Sequence, residues 1–127
     1  RDRYKAGDQF TEGGKPVNGK RDICDIYAIM YETSESVPTL DGTNAFTSPN
    51  LISTARINNA KETNEWTYFK LPFTTLPGKF IDKEKLMDGK YNIAIVFTSS
   101  LEGDHFNGAI GSTLLIDEAE LIYHSED

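Results

Sequence analysis

A chain of 127 residues suffices for one hydrophobic core and is too short for two comfortable ones, so a single domain over 1–127 is expected. A net charge of −7 repels a phosphate backbone, and no Lys/Arg run with interleaved aromatics is present, which argues against nucleic-acid binding. Hydrophobic residues at 38%, with seven Phe, six Tyr and one Trp, predict a packed interior rather than disorder, and no stretch approaches the ~18 apolar residues of a membrane helix.

The opening "RDRYKAGD" (1–8) reads as a strand already in progress, and the first residue is Arg rather than Met. The expectation is that the chain is the C-terminal part of a larger domain, or that another piece covers its missing edge. Next, "GGKPVNGK" (13–20) has turn composition, and no two-residue hairpin stands out anywhere. The run "RDICDIYAIMYE" (21–32) carries apolar residues on both parities, which predicts a strand covered on both faces near the middle of a layered structure. Its Cys24, the chain's single cysteine, has no internal disulfide partner and is expected as a buried small hydrophobe.

Residues 33–50 are a long loop, and "LISTARIN" (51–58) alternates in the manner of a half-exposed strand. After the turn "NNAKETN" (58–64), "EWTYFKLPF" (65–73) is rich in aromatic residues and is expected as a strand. "DKEKLMD" (82–88) is a connector of one or two helical turns, capped by Asp82 and stopped at Gly89. "KYNIAIVFTSS" again carries apolar residues on both parities over 91–97, predicting a second central strand, and "STLLIDEAELIYH" (112–124) is the last strand. Strands joined by long loops predict an all-β sandwich of Greek-key type. Five or six strong strands are few for an eight-stranded jelly roll, which again points to an incomplete domain.

Four groups of side chains invite a chemical reading. His105, beside Asp104 and near Glu102, has the makings of an oriented base, but no nucleophile elbow or HExxH spacing accompanies it and His124 is the only other histidine. Glu118 and Glu120 would share one face of the last strand about 7 Å apart, near the separation used by glycoside hydrolases; a solvated acidic face is the competing reading. Asp117 falls on the parity of Leu115, Ala119, Leu121 and Tyr123, and an inward acid must be paired, hydrogen-bonded or metal-bound. A hydrogen bond to a loop backbone and a structural Ca²⁺ are the two solutions. Finally, Trp66 and Tyr68 share one face of their strand, and Tyr27 and Tyr31 share one face of theirs. Sugar rings stack their C–H patches on exposed aromatic faces, so these four residues are the candidate ligand contacts, with core packing as the alternative.

The spacing Ser99, Ser100, Gly103, Asp104, Phe106, Gly108, Ala109, Gly111, Ser112, Leu114, Asp117, Glu118, Glu120 and Leu121, joined to "DIYAIMYE" and "WTYFKLPF" upstream, resembles the Putative carbohydrate metabolism domain family of bacterial surface lipoproteins. The resemblance spans the chain from about Tyr4 onward. It implies a jelly-roll β-sandwich of two antiparallel sheets similar to carbohydrate-binding modules, placed at the bacterial cell surface or periplasm and linked to glycan capture. It also implies a domain that extends upstream of Arg1. The resulting expectation is a non-catalytic module whose partners are a polysaccharide or oligosaccharide and an upstream domain of the same polypeptide. It includes no cofactor beyond the structural calcium considered at Asp117. The alternatives are a glycoside hydrolase using Glu118 and Glu120, or a purely structural or adhesion sandwich.

Overall fold

The strand β4 (Asp25–Glu32) organises the molecule, a computed structural model that describes residues 1–35, 40, 46–58 and 60–122. It pairs antiparallel with β5 (Leu51–Arg56) on one side and with β7 (Tyr91–Thr98) on the other, and β6 (Thr74–Thr75) extends the sheet beyond β5. Both faces of β4 are covered, as its two-parity pattern predicts. On one face Tyr27, Ile29 and Tyr31 join Leu51 in a core backed by Ala94 and Val96, and Leu40 from the 33–50 loop packs into it. The Phe46 ring stands edge-on to Tyr27 with centroids 4.9 Å apart. Arg56 lies over Phe46 at 4.6 Å, while its guanidinium forks onto buried Asp25 with bonds of 3.1 and 2.7 Å. A carboxylate with that little solvent needs such a two-point partner.

The remaining strands form two smaller antiparallel sheets: β1 (Asp2–Lys5) with β9 (Thr113–Ile116), and β3 (Lys15–Val17), β2 (Phe10–Glu12), β8 (Gly108–Ala109) in that order. The fold is an all-β sandwich. The one α-helix among the described residues, α1 (Lys83–Met87), is the short connector expected: Asp82 Oδ1 accepts from the amides of Glu84 and Lys85 at 2.9 and 3.2 Å, and Gly89 closes it at φ +70°.

Several expectations need correction. β2 and β3 form a two-residue hairpin across Gly13–Gly14, whose φ values of +57° and +84° suit glycine; "EGGK" is a hairpin signal that the turn reading passed over. The "LISTARIN" strand is not half-exposed. Flanked by β4 and β6, it buries Leu51, Ile52, Ser53 and Ala55. Segment 65–73 is not a regular strand: only Thr67 bridges, to Asp2. The last strand stops at Ile116, so Asp117, Glu118 and Glu120 lie beyond it, while Tyr123 and His124 fall outside the described residues. Lastly, β7 has the sequence of a central strand but stands at the edge of its sheet.

Candidate functional site

Asp22, just ahead of β4, is 2% exposed and collects the polar residues of the signature. Its Oδ2 accepts from Ser100 Oγ at 2.5 Å, from Ser112 Oγ at 2.6 Å and from the Ala109 amide at 3.0 Å. Such short O–H···O⁻ contacts are the strong, charge-assisted kind. Ser112 Oγ in turn accepts from the Gly7 amide at 3.0 Å, and Tyr4 Oη donates to the Ser99 carbonyl at 2.6 Å. The glycines follow from this crowding. A Cβ on Gly108 would lie 3.0 Å from Ser100 Oγ and 3.2 Å from Asp22 Oδ2, and one on Gly7 would collide with the Ile110 carbonyl oxygen. Asp22 thus ties the entry of β4 to the segments around β8 and β9, 78 to 90 residues away in sequence. Sequence reasoning passed over Asp22; the paired serines and the glycine of the signature were the signal that a distant acid was being held.

The clamp is closed, and its chemistry is structural. Burial pushes the Tyr4 phenol up to about 12 and the Cys24 thiol up to about 11, so the cysteine is an inert core residue, as expected. At the rim, Glu62 accepts from Arg21 at 2.6 Å and from the Ala6 amide at 2.9 Å, and Arg21 followed by that amide holds its carboxyl below the usual value.

The opposite side of β1 is open. Residues 63–67 run beside it: Asp2 and Thr67 exchange backbone bonds of 2.9 and 2.8 Å, and the Thr63 amide donates to the Tyr4 carbonyl at 2.9 Å. β9 flanks β1 on its other edge, with Arg3 opposite Leu115. Residues directly opposite share a face, so Leu115, Arg3 and Trp66 make a row, with the Arg3 guanidinium 5.9 Å from the Trp66 ring centroid. Tyr68 lies two residues further along this segment, just past the Thr67 bridge. Trp66 is 44% and Tyr68 72% exposed, and Leu115 is also open to solvent.

The sequence-predicted aromatics therefore separate into two pairs. Trp66 and Tyr68 are both exposed, two residues apart in segment 65–73. Tyr27 and Tyr31 are 6% and 4% exposed inside the core of the four-stranded sheet, in a cluster with Leu40 and Leu51 and with Phe46 against Tyr27; neither offers a ring face for stacking. Asp117 is exposed rather than inward, since β9 has ended, and its backbone amide donates to the Arg1 carbonyl at 3.0 Å. Among the described residues no group of three or more His, Cys, Asp or Glu side chains is placed to hold a metal ion. Glu118 takes a left-handed backbone at φ +54° and reaches Arg1 at 3.9 Å, and Glu120 is exposed in irregular chain, so the same-strand geometry expected of this pair is not formed. His105 closes a short 3₁₀ turn (Gly103–His105), solvent-exposed, with Asp104 at 3.8 Å.

The Putative carbohydrate metabolism domain family matches residues 3–122. The chain is 86% identical to part of a crystal structure of a putative glycoside hydrolase from Bacteroides thetaiotaomicron VPI-5482, with a TM-score of 0.95 over 98% of this chain and 37% of that one. It is 45% identical to part of a second, from Bacteroides vulgatus ATCC 8482, with a TM-score of 0.88 over 95% of this chain and 49% of that one. The chain thus spans less than half the length of either. No curated protein matches it.

Proposed function

The chain belongs to the Putative carbohydrate metabolism domain family, and from that premise we propose that it is a non-catalytic carbohydrate-binding module of a bacterial surface glycan-utilisation protein. The observation that carries the reading is an open strip: the chain's one tryptophan lies on the surface in a row with Arg3 and Leu115, and Tyr68, two residues on, is exposed as well. Two exposed aromatic rings two residues apart in the chain suit the C–H faces of a sugar chain. The Arg3 donors beside them suit its hydroxyls. Affinity here comes from stacking on preformed rings, so a shallow surface suffices and no enclosed pocket is needed. The calcium considered for Asp117 does not enter this proposal, because an exposed acid with its backbone already bonded needs no ion to satisfy it.

The test is tryptophan emission during titration with oligosaccharides. A cognate glycan shifts the Trp66 emission and Tyr68→Ala weakens the response; glycans that leave the emission unchanged across a broad panel return the domain to a structural or adhesion role. A second reading, hydrolysis of a glycosidic bond through Glu118 and Glu120, draws on the description of both similar structures as putative glycoside hydrolases. An activity panel on wild type and Glu118→Gln separates it: equal rates on both retire it.

A further inference from the structure

Strand β7 has an interior sequence in an edge position. Its eight residues, "YNIAIVFT", contain no charge and no proline, and its pairing with β4 runs from Asp25↔Thr98 to Glu32↔Tyr91 without a register shift. Exposed edges of natural sheets carry lysines, prolines, bulges or a covering segment, because a row of unpaired amides and carbonyls templates further pairing. Among the described residues β7 has none of these. Among the described residues its backbone pairs only with β4. One of its faces is equally unfinished. Ile93, Ile95 and Phe97 lie in register with Met30, Ala28 and Ile26 of β4 and so share their face. Ile26 and Ala28 are buried there, whereas Ile95 is 48% and Phe97 39% exposed.

We infer that β7 is completed by a further β-strand of the same polypeptide, which pairs along 91–98 and lays apolar side chains over Ile93, Ile95 and Phe97. The occupant is argued from length: the 86%-identical structure has this chain as only 37% of its own, and the 45%-identical one as 49%. Proteins of this kind thus carry ample chain from which to supply a strand. A covalently continuous strand also covers the edge at every protein concentration, which a second copy pairing β7 to β7 does not. This surface uses none of the residues of the Trp66–Tyr68 strip, so it stands or falls independently of glycan binding.

The test uses the protein as its own gene produces it, followed by hydrogen exchange across 91–98 and by sedimentation. The expected result is a monomer in which every β7 amide exchanges at least about 1,000-fold more slowly than unstructured chain. Alternate amides exchanging at open-chain rates would overturn the inference. So would protection that disappears on dilution together with a dimer, since a second copy would then be the occupant. A gene product no longer than these 127 residues overturns it as well.

Discussion

The two sides of β1 differ in kind. Its Asp2 and Tyr4 point inward and are buried, toward the region where Ser99, Ser100 and Ser112 gather, while Arg3 points outward to Trp66 and Leu115. One side is saturated with short hydrogen bonds to a single carboxylate, and the other is an open strip of apolar and aromatic rings beside a guanidinium. The difference teaches that the signature residues gathered around Asp22 build the fold, whereas the exposed aromatic residues lie on the other side of β1.

The largest expected effect lies on the closed side. Asp22→Ala strands two hydroxyls and the Ala109 amide, each costing about 1–3 kcal/mol when left unpaired, so a loss of at least about 3 kcal/mol is expected in denaturant unfolding. A loss under 0.5 kcal/mol, typical of ordinary surface substitutions, would show that the clamp does not hold the fold. Gly108→Ala drives a methyl against Ser100 Oγ and Asp22 Oδ2, with an expected cost of about 1–3 kcal/mol. An unchanged melting temperature would mean that the loop yields freely.

Tyr4→Phe removes one hydrogen bond, worth about 1 kcal/mol at neutral pH, and adds a pH signature. Burial raises the folded-state pKa of Tyr4 from 10.0 to about 12, so its protonated form is favoured by folding. That contribution is complete below pH 10 and is lost as pH rises toward 12. The gap between wild type and Tyr4→Phe should accordingly shrink over that window; a constant gap would place the phenol in contact with solvent. Smaller still is Glu62→Gln. The carboxyl is held below its ordinary value of 4.5, so its contribution is present above that pH and fades as pH falls through the lowered value. Stability curves of wild type and Glu62→Gln should converge in acid. On the open side Tyr68→Ala should shift stability by no more than about 0.5 kcal/mol, the ordinary range for an exposed residue.

The fold class was legible because it rests on local periodicity: β4 and the capped α1 follow directly from apolar spacing and from Asp82. The two-parity pattern also marked β7 as a strand that something must cover, although in this chain it stands at an edge. What sequence could not supply was long-range pairing. The Asp22 clamp joins residues up to 90 positions apart, and nothing near Asp22 announces its partners. Burial of Tyr27 and Tyr31 depended on packing with Leu40, Leu51 and Phe46, contacts distant in sequence that local pattern does not encode. Trp66 and Tyr68 are both exposed, but the strand expected to align them is reduced to one bridge at Thr67. Asp117 was misplaced because the apolar pattern continues past Ile116 while the pairing stops there.

The central claim is that ligand binding uses Trp66 and Tyr68 while the residues around Asp22 hold the fold. Affinity electrophoresis of wild type and Trp66→Ala through gels containing soluble polysaccharides, with matched circular dichroism, tests it most directly. The account predicts retardation of the wild type by at least one polysaccharide and at least about tenfold weaker binding by a still-folded Trp66→Ala, equivalent to about 1.4 kcal/mol. Equal retardation of the two proteins, or none by any polysaccharide, would contradict it.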